Sequence, residues 1–380
     1  MLGSEITIKQ NIHEVVVPNR SESYLQELVE RIDQAERTQE NEFTHFSDVD
    51  MIYWFLYKRK HMNEKDERSE RSTISYKREL EQFCTYLITY AAEIGIDIED
   101  LKEGSLFKSL QPRHLLRYQE WLESSSPYVK SGRSYSVVTI ERKTTILRMF
   151  FSYLYEVGFI SSPLTSRMMV ARTNSDDRPN RDMVPKDVVR ILDAFVKTKN
   201  IFMFTLVQTL VTTGLRNEEL CTLTVGSVKE MPFGDGYYIE VMGKGRKKRN
   251  IPLRDKVVQS IEMFRQLRGL SSIRTANPAD PLFTTSSGKA YSPPYLSKVF
   301  NREMEKIAPY LEGITLQCSP HVFRHAFAII SHYNNIDVFD IMRSLGHEKI
   351  ETTMIYLQKS MELDEHASNY WRSETLGNLI

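Results

Sequence analysis

The sequence predicts a mainly α-helical protein with a small antiparallel β-sheet, arranged as two successive domains. Three observations carry this. Apolar residues recur at helical spacing along most of the chain. Two short alternating runs, YYIEVM and RNIPL, flank the tight basic segment GKGRKK and form a hairpin pattern. The 380-residue length suits two or three domains of about 100–200 residues each.

The elements follow in order. Residues 24–36 (YLQELVERIDQAE) form an amphipathic helix, and Met51–Tyr57 (MIYWFLY) a second, with Asp48 and Asp50 at its N-terminus. The run RKHMNEKDERSERS at 59–72 is too charged to bury and reads as a solvated connection. A long helix then opens at Ser72 or Thr73 and aligns Tyr76, Leu80, Phe83 and Leu87 on one face. Another starts after Pro112, the polar 124–136 segment is a loop, and a helix over 137–158 ends at Gly158. Residues 45–165 therefore read as a helical bundle. Weakly periodic residues 166–184 read as a linker. Helices at 185–197 and 200–213 precede the hairpin, and helical patterns return at 256–269, 293–310, 319–333, 336–344 and 349–358. The last residues end in Trp371, Leu376, Leu379 and Ile380, which no remaining helix covers.

Composition narrows the class. With 41% hydrophobic and 26% charged residues the chain is globular rather than disordered. Three cysteines without CxxC spacing exclude a disulfide scaffold and an all-cysteine zinc site. The N-terminus MLGSEITIKQ lacks a signal-peptide h-region, and no run reaches ~18 apolar residues, so a cytoplasmic protein is expected. Net charge is zero but uneven: −5 over residues 1–44, +8 over 45–360 and −3 over 361–380. A basic body with acidic ends fits a DNA-facing core whose termini contact protein.

Four stretches carry candidate chemistry. TGLRNEEL places Arg216 after a Gly-Leu break, with Glu218 and Glu219 following. Alone it reads as a surface helix with an Arg–Glu pair worth ~0.3–0.5 kcal/mol; functionally, the guanidinium fork suits phosphate oxygens. GKGRKKRNIPL holds Lys244 on a glycine-flanked turn, with Arg246, Lys247, Lys248 and Arg249. It is either a solvated hairpin tip or a DNA-backbone contact with a lysine aimed at a phosphate or leaving oxygen. SPHVFRHAFA starts a helix at Pro320 and puts His321 and Arg324 on one face. His321 and His325 have the i,i+4 spacing of zinc ligands, but Val322 stands where a metalloprotease needs its glutamate, and His325 reads as structural. RSLGHEKIETTMIYLQ carries His347 at a helix break and Tyr356, one of 19 tyrosines, on the next helix. A phenol, with a pKa near 10, needs cations nearby to act as a nucleophile.

Together these residue types describe one reaction: arginines on the oxygens of a phosphodiester, a lysine and histidines moving protons, and a tyrosine forming a phosphate ester. No carboxylate cluster for Mg²⁺ is visible in the sequence, so cationic side chains would do the metal's work.

At these four motifs, in order and spacing, the chain resembles the tyrosine recombinases (phage-type integrases and Xer-type recombinases). The resemblance spans about residues 45–365. It implies Arg216 and Arg324 as the phosphate-clamping pair, Lys244 as general acid, His321 and His347 as the histidines of HxxR and LGH, and Tyr356 as the nucleophile. Glu219 matches a supporting acidic position. The implied architecture is an N-terminal core-binding (SAM-like) helical domain over 45–165 and a catalytic domain over 185–365, closing as a C-shaped clamp on duplex DNA. The implied assembly is a homotetramer on two sites, exchanging strands through a 3′-phosphotyrosyl intermediate and a Holliday junction, with no cofactor. Residues 366–380 would dock onto a neighbouring protomer, and the acidic 1–44 extension would contact an accessory protein. No membrane is involved, and a nucleoid location follows. The rivals are a type IB topoisomerase, a telomere-resolving hairpin former, a silent DNA-binding module and a zinc hydrolase.

Overall fold

Helix starts in this chain coincide with side chains that cap them. A computed structural model describes residues 16–63, 67–170, 183–243, 248–311 and 319–364. The chain divides into two compact units, Met1–Pro179 and Asn180–Ile380.

The first unit is helical: α1 (Glu22–Arg37), α2 (Asp48–Tyr57), α3 (Glu70–Thr89), α4 (Pro112–Ser124) and α5 (Val137–Glu156). Ser21, Ser47, Ser69 and Ser136 each accept a backbone N–H of the first turn, and Pro112 opens α4 where its missing N–H costs nothing. The cap of α3, Ser69, thus lies three residues before the expected Ser72. Ser69 takes the Ser72 N–H, and Glu70 sits favourably at the positive end of the helix dipole. The expected 124–136 loop contains a helical turn at Pro127–Lys130. Aromatic rings fill the core, with Phe83, Phe107, Phe150 and Phe151 meeting edge to face.

Residues 16–44, set apart from the bundle by the sequence pattern, pack into this same core. Val17, Leu28, Ala35 and Phe43 are buried. The Tyr24 ring meets Tyr53 at 4.6 Å, and the Ser21 N–H donates to Tyr53 Oη at 2.7 Å. The apolar face of α1 needs a partner, and the aromatic α2 supplies it.

The second unit contains α6 (Pro185–Lys197), α7 (Ile201–Thr213), α8 (Asn217–Thr222), β1 (Val228–Glu230), β2 (Tyr237–Met242), β3 (Lys248–Leu253), α9 (Asp255–Leu267), α10 (Pro293–Ile307), α11 (Pro320–Tyr333), α12 (Val338–Leu345) and α13 (Ile350–Asp364). The sheet has order β1-β2-β3, all antiparallel. The hairpin is therefore joined by a third strand, whose three residues are too short to show a period.

α7 lies in the middle of the core and is buried nearly all round. Thr205, Thr209 and Thr213 tolerate burial because each hydroxyl donates to the carbonyl four residues earlier. A smaller cluster of Ala328, Ile329, Ile341, Leu345, Tyr356 and Leu357 joins α11, α12 and α13. Among the described residues no helix is long and apolar enough to cross a membrane. The segment 366–380, residues 1–15 of the extension and 171–182 of the expected linker lie outside the described residues.

Candidate active site

Two helices end on left-handed glycines, and their free carbonyls make a seat for one arginine. α7 stops at Gly214 (φ 62) and α12 at Gly346 (φ 65). Helix C-termini leave carbonyls unpaired and carry the negative end of the dipole. Arg324, fully buried on α11, donates from Nη1 to Gly214 O and from Nη2 to Leu345 O, both at 2.6 Å. Burial, and next the neighbouring Arg216, lower its pKa to about 10, which leaves it charged near neutrality.

A Cβ on Gly214 would stand 2.8 Å from Leu345 Cδ2 and 3.0 Å from Phe327 Cδ1. Gly288 has a similar φ of +76 with nothing within 4 Å. Both alanine substitutions incur the left-handed penalty of about 1–2 kcal/mol, but only Gly214→Ala adds a clash. Denaturant melts should therefore show Gly214→Ala as the more destabilised of the two; equal losses would mean that the close approach costs nothing.

Arg216 caps α8 and shares its carboxylate with a second arginine. Glu219, 5% exposed, accepts the Arg216 backbone N–H (2.7 Å) and Arg216 Nη1 (2.9 Å), and both Nη1 (2.8 Å) and Nη2 (2.7 Å) of Arg249. Burial pushes this carboxyl up. The Arg249 and Arg216 hydrogen bonds outweigh it and hold the pKa down at about 2. Arg216 Nη2 also donates to Gly346 O at 3.2 Å. The two guanidiniums of Arg216 and Arg324 thus converge on the Leu345–Gly346 turn.

Tyr356 stands on α13 inside a box of histidines. Its hydroxyl lies 3.2 Å from His321 Nε2. Its ring stacks on His325 at 3.6 Å and 27°, and meets His347 edge-on at 5.2 Å. The phenol is within electrostatic reach of Arg324. His347 follows the left-handed Gly346, and its Nδ1 lies 2.9 Å from the hydroxyl of fully buried Thr353. Burial, then Arg324, Arg216 and Arg249, lower the His347 pKa to about 3, so its ring is neutral at ordinary pH. His321 and His325 are 5.0 Å apart by ring centroid, and among the described residues no group of three His, Cys, Asp or Glu donors forms around them.

His347 and Glu219 both bind protons more weakly folded than unfolded, so each contributes stability that is lost as pH falls. The window runs from 6.5 toward about 3 for His347 and from 4.5 toward about 2 for Glu219. Asp48 in the first unit, its carboxyl pushed up to about 6 by desolvation, acts with the opposite sign, its contribution being lost as pH rises through that value. Comparison of wild type with His347→Gln removes the Asp48 effect. The variant should lose less stability between roughly pH 7 and pH 4 than wild type; parallel curves would contradict a neutral His347.

The structure brings Arg216, Glu219, Arg249, His321, Arg324, His347 and Tyr356 into one neighbourhood. Lys244, Arg246 and Lys247 lie outside the described residues. Lys248 is on the solvent side, 61% exposed and 3.6 Å from Glu240. Arg249, expected as a DNA-contacting cation of the tip, instead turns inward at 13% exposure. Thr353 was not singled out in the sequence; its one signal is its position three residues before Tyr356 on the same helix. His325, expected to be merely structural, lies against the Tyr356 ring.

Comparison with known proteins identifies the family. The phage integrase family model matches residues 181–362. The chain is 31% identical over 231 residues to the tyrosine recombinase XerC of Thermodesulfovibrio yellowstonii, covering 58% of this chain and 71% of that one. It is 28% identical over 294 residues to XerD of Brucella abortus, covering 74% and 84%. In fold it is similar to the XerH recombinase in its post-cleavage complex with a palindromic difH substrate, with a TM-score of 0.59 and 18% identity over 97% of this chain and 94% of that one. The family match and the recombinase relatives thus define a DNA strand-cleaving and rejoining enzyme. The chain belongs to the tyrosine recombinase family.

Proposed function

We propose that this recombinase cuts DNA by attack of Tyr356 on a phosphodiester, forming a 3′-phosphotyrosyl bond and freeing a 5′-hydroxyl. The observation that carries the reading is the Tyr356 hydroxyl 3.2 Å from His321 Nε2, within the range for direct proton transfer. His321 accepts the phenolic proton as the oxygen–phosphorus bond forms. Arg216 and Arg324 neutralise the non-bridging oxygens, where charge grows in the transition state. His347 Nδ1 lies 2.9 Å from the Thr353 hydroxyl; in the tautomer that accepts there, its Nε2–H is a further donor to phosphate. Lys244 protonates the departing 5′-oxygen. Glu219 supports Arg216, and the tip cations Arg246, Lys247 and Lys248 contact the DNA backbone. The phosphotyrosyl bond conserves the energy of the phosphodiester, so religation to a second strand needs neither ATP nor metal.

In the same reading residues 45–165 are the core-binding domain and residues 185–365 are the catalytic domain. Four copies act on two duplexes through a Holliday junction, with the 366–380 tail docking between protomers and the exposed acidic side chains within residues 1–44 contacting an accessory protein. A Tn1549 transposon integrase structure in complex with circular intermediate DNA is similar in fold, at a TM-score of 0.55 and 18% identity over 77% of this chain and 90% of that one, and supports DNA as the partner. The enzyme works in the cytoplasm on the nucleoid.

The test is a plasmid bearing two copies of the target site, incubated with protein in EDTA. Excision or inversion products support recombination. Relaxation of supercoils without strand exchange would favour a type IB topoisomerase activity instead.

A further inference from the structure

Arg249 belongs to a run of cations, yet strand parity separates it from them. On β3 the inward positions are Arg249, Ile251 and Leu253, while Lys248, Asn250 and Pro252 face outward. Arg249 pairs across the sheet with buried Val241. Its side chain is 13% exposed, and both terminal nitrogens are committed to Glu219 at 2.8 and 2.7 Å. Taking Arg249 out of that bidentate pair would leave Glu219, itself 5% exposed, with less compensation. The guanidinium also lies against the turn that precedes His347: a Cβ on Gly346 would come within 3.2 Å of Arg249 Nη1 and 3.4 Å of its Cδ.

We infer that Arg249 is a positioning residue for strand cleavage: it clamps Glu219, and through it Arg216, against the Gly346 turn, tying the hairpin strand to the phosphate-binding arginine. This rests on the phosphotyrosyl reading above. Glu219 reaches Arg216 at both its backbone and its side chain, and Arg216 reaches Gly346 O. The result is a closed loop of contacts from β3 to α8 to the end of α12. A lysine at 249 would keep the charge but not the planar fork that holds both carboxylate oxygens. Loss of the clamp frees Arg216 to rotate off the phosphate, and displacement on the order of 1 Å costs up to about 10²-fold in rate.

The experiment measures site affinity, its salt dependence and the single-turnover cleavage rate of saturated complexes on a nicked suicide duplex. Wild type, Arg249→Lys, Arg249→Met, Glu219→Gln and the double variant Glu219→Gln/Arg249→Lys are compared, with thermal melts alongside. Arg249→Lys should cleave about 10–100-fold more slowly with affinity and salt slope unchanged. The double variant should be no slower than the worse single one, because both break the same clamp. A salt slope reduced by about 0.9 with a normal bound cleavage rate would make Arg249 a DNA contact and overturn the inference. A lowered melting temperature with a normal bound rate would make it a packing residue and do the same. If wild type forms no covalent complex, the phosphotyrosyl reading itself fails and takes this inference with it.

Discussion

Alanine in place of Arg324 is expected to slow strand cleavage by at least ~10²–10³, the usual cost of removing one transition-state donor. Two effects add. The phosphate loses a guanidinium, and the carbonyls of Gly214 and Leu345, each accepting at 2.6 Å, lose their donor in a buried site. An unsatisfied buried acceptor costs about 1–3 kcal/mol, so the melting temperature should fall with activity. Arg324→Lys should restore little of either, since one ammonium cannot span two helix ends with the geometry of the fork. Single-turnover cleavage of a nicked duplex at saturating protein, paired with a thermal melt, checks both effects. A rate within a few-fold of wild type would remove Arg324 from the phosphate-binding role.

Tyr356→Phe has the sharper expected effect, because it deletes the proposed attacking atom. Cleavage should become undetectable, while the ring keeps its stack on His325 and its edge contact with His347. The hydroxyl's contact with His321 is worth about 0.5–1.5 kcal/mol, so the fold should persist and DNA affinity should change little. Gel-shift titration alongside the cleavage assay separates the two. Cleavage by the phenylalanine variant would place the nucleophile elsewhere.

Much of this site was legible in the sequence because its residues are punctuated by glycine and proline. Gly214 and Gly346 mark helix ends, and the arginine and histidine motifs lie beside them; Pro320 fixes the start of the helix carrying His321 and Arg324. Helix existence followed from periodicity in both units. What the pattern hid was contact between elements distant in sequence. Arg249 reaches Glu219 thirty positions away, and in a basic run its charge masked a parity that Ile251 and Leu253 make visible. Ser69 was passed over as a cap because charge dominates the segment around it. Residues 16–44 were set apart by their acidity, although the apolar face of α1 determines where that segment packs.

The central claim is the covalent bond between Tyr356 and DNA. Nicked suicide duplexes tiled across the DNA flanking the gene would be incubated with wild-type protein, resolved on a denaturing gel, and the retarded band digested and analysed by mass spectrometry. The account predicts one DNA-linked peptide containing Tyr356, joined to a 3′-phosphate, with a free 5′-hydroxyl on the released strand. A linkage at any other residue, or to a 5′-phosphate, would contradict it.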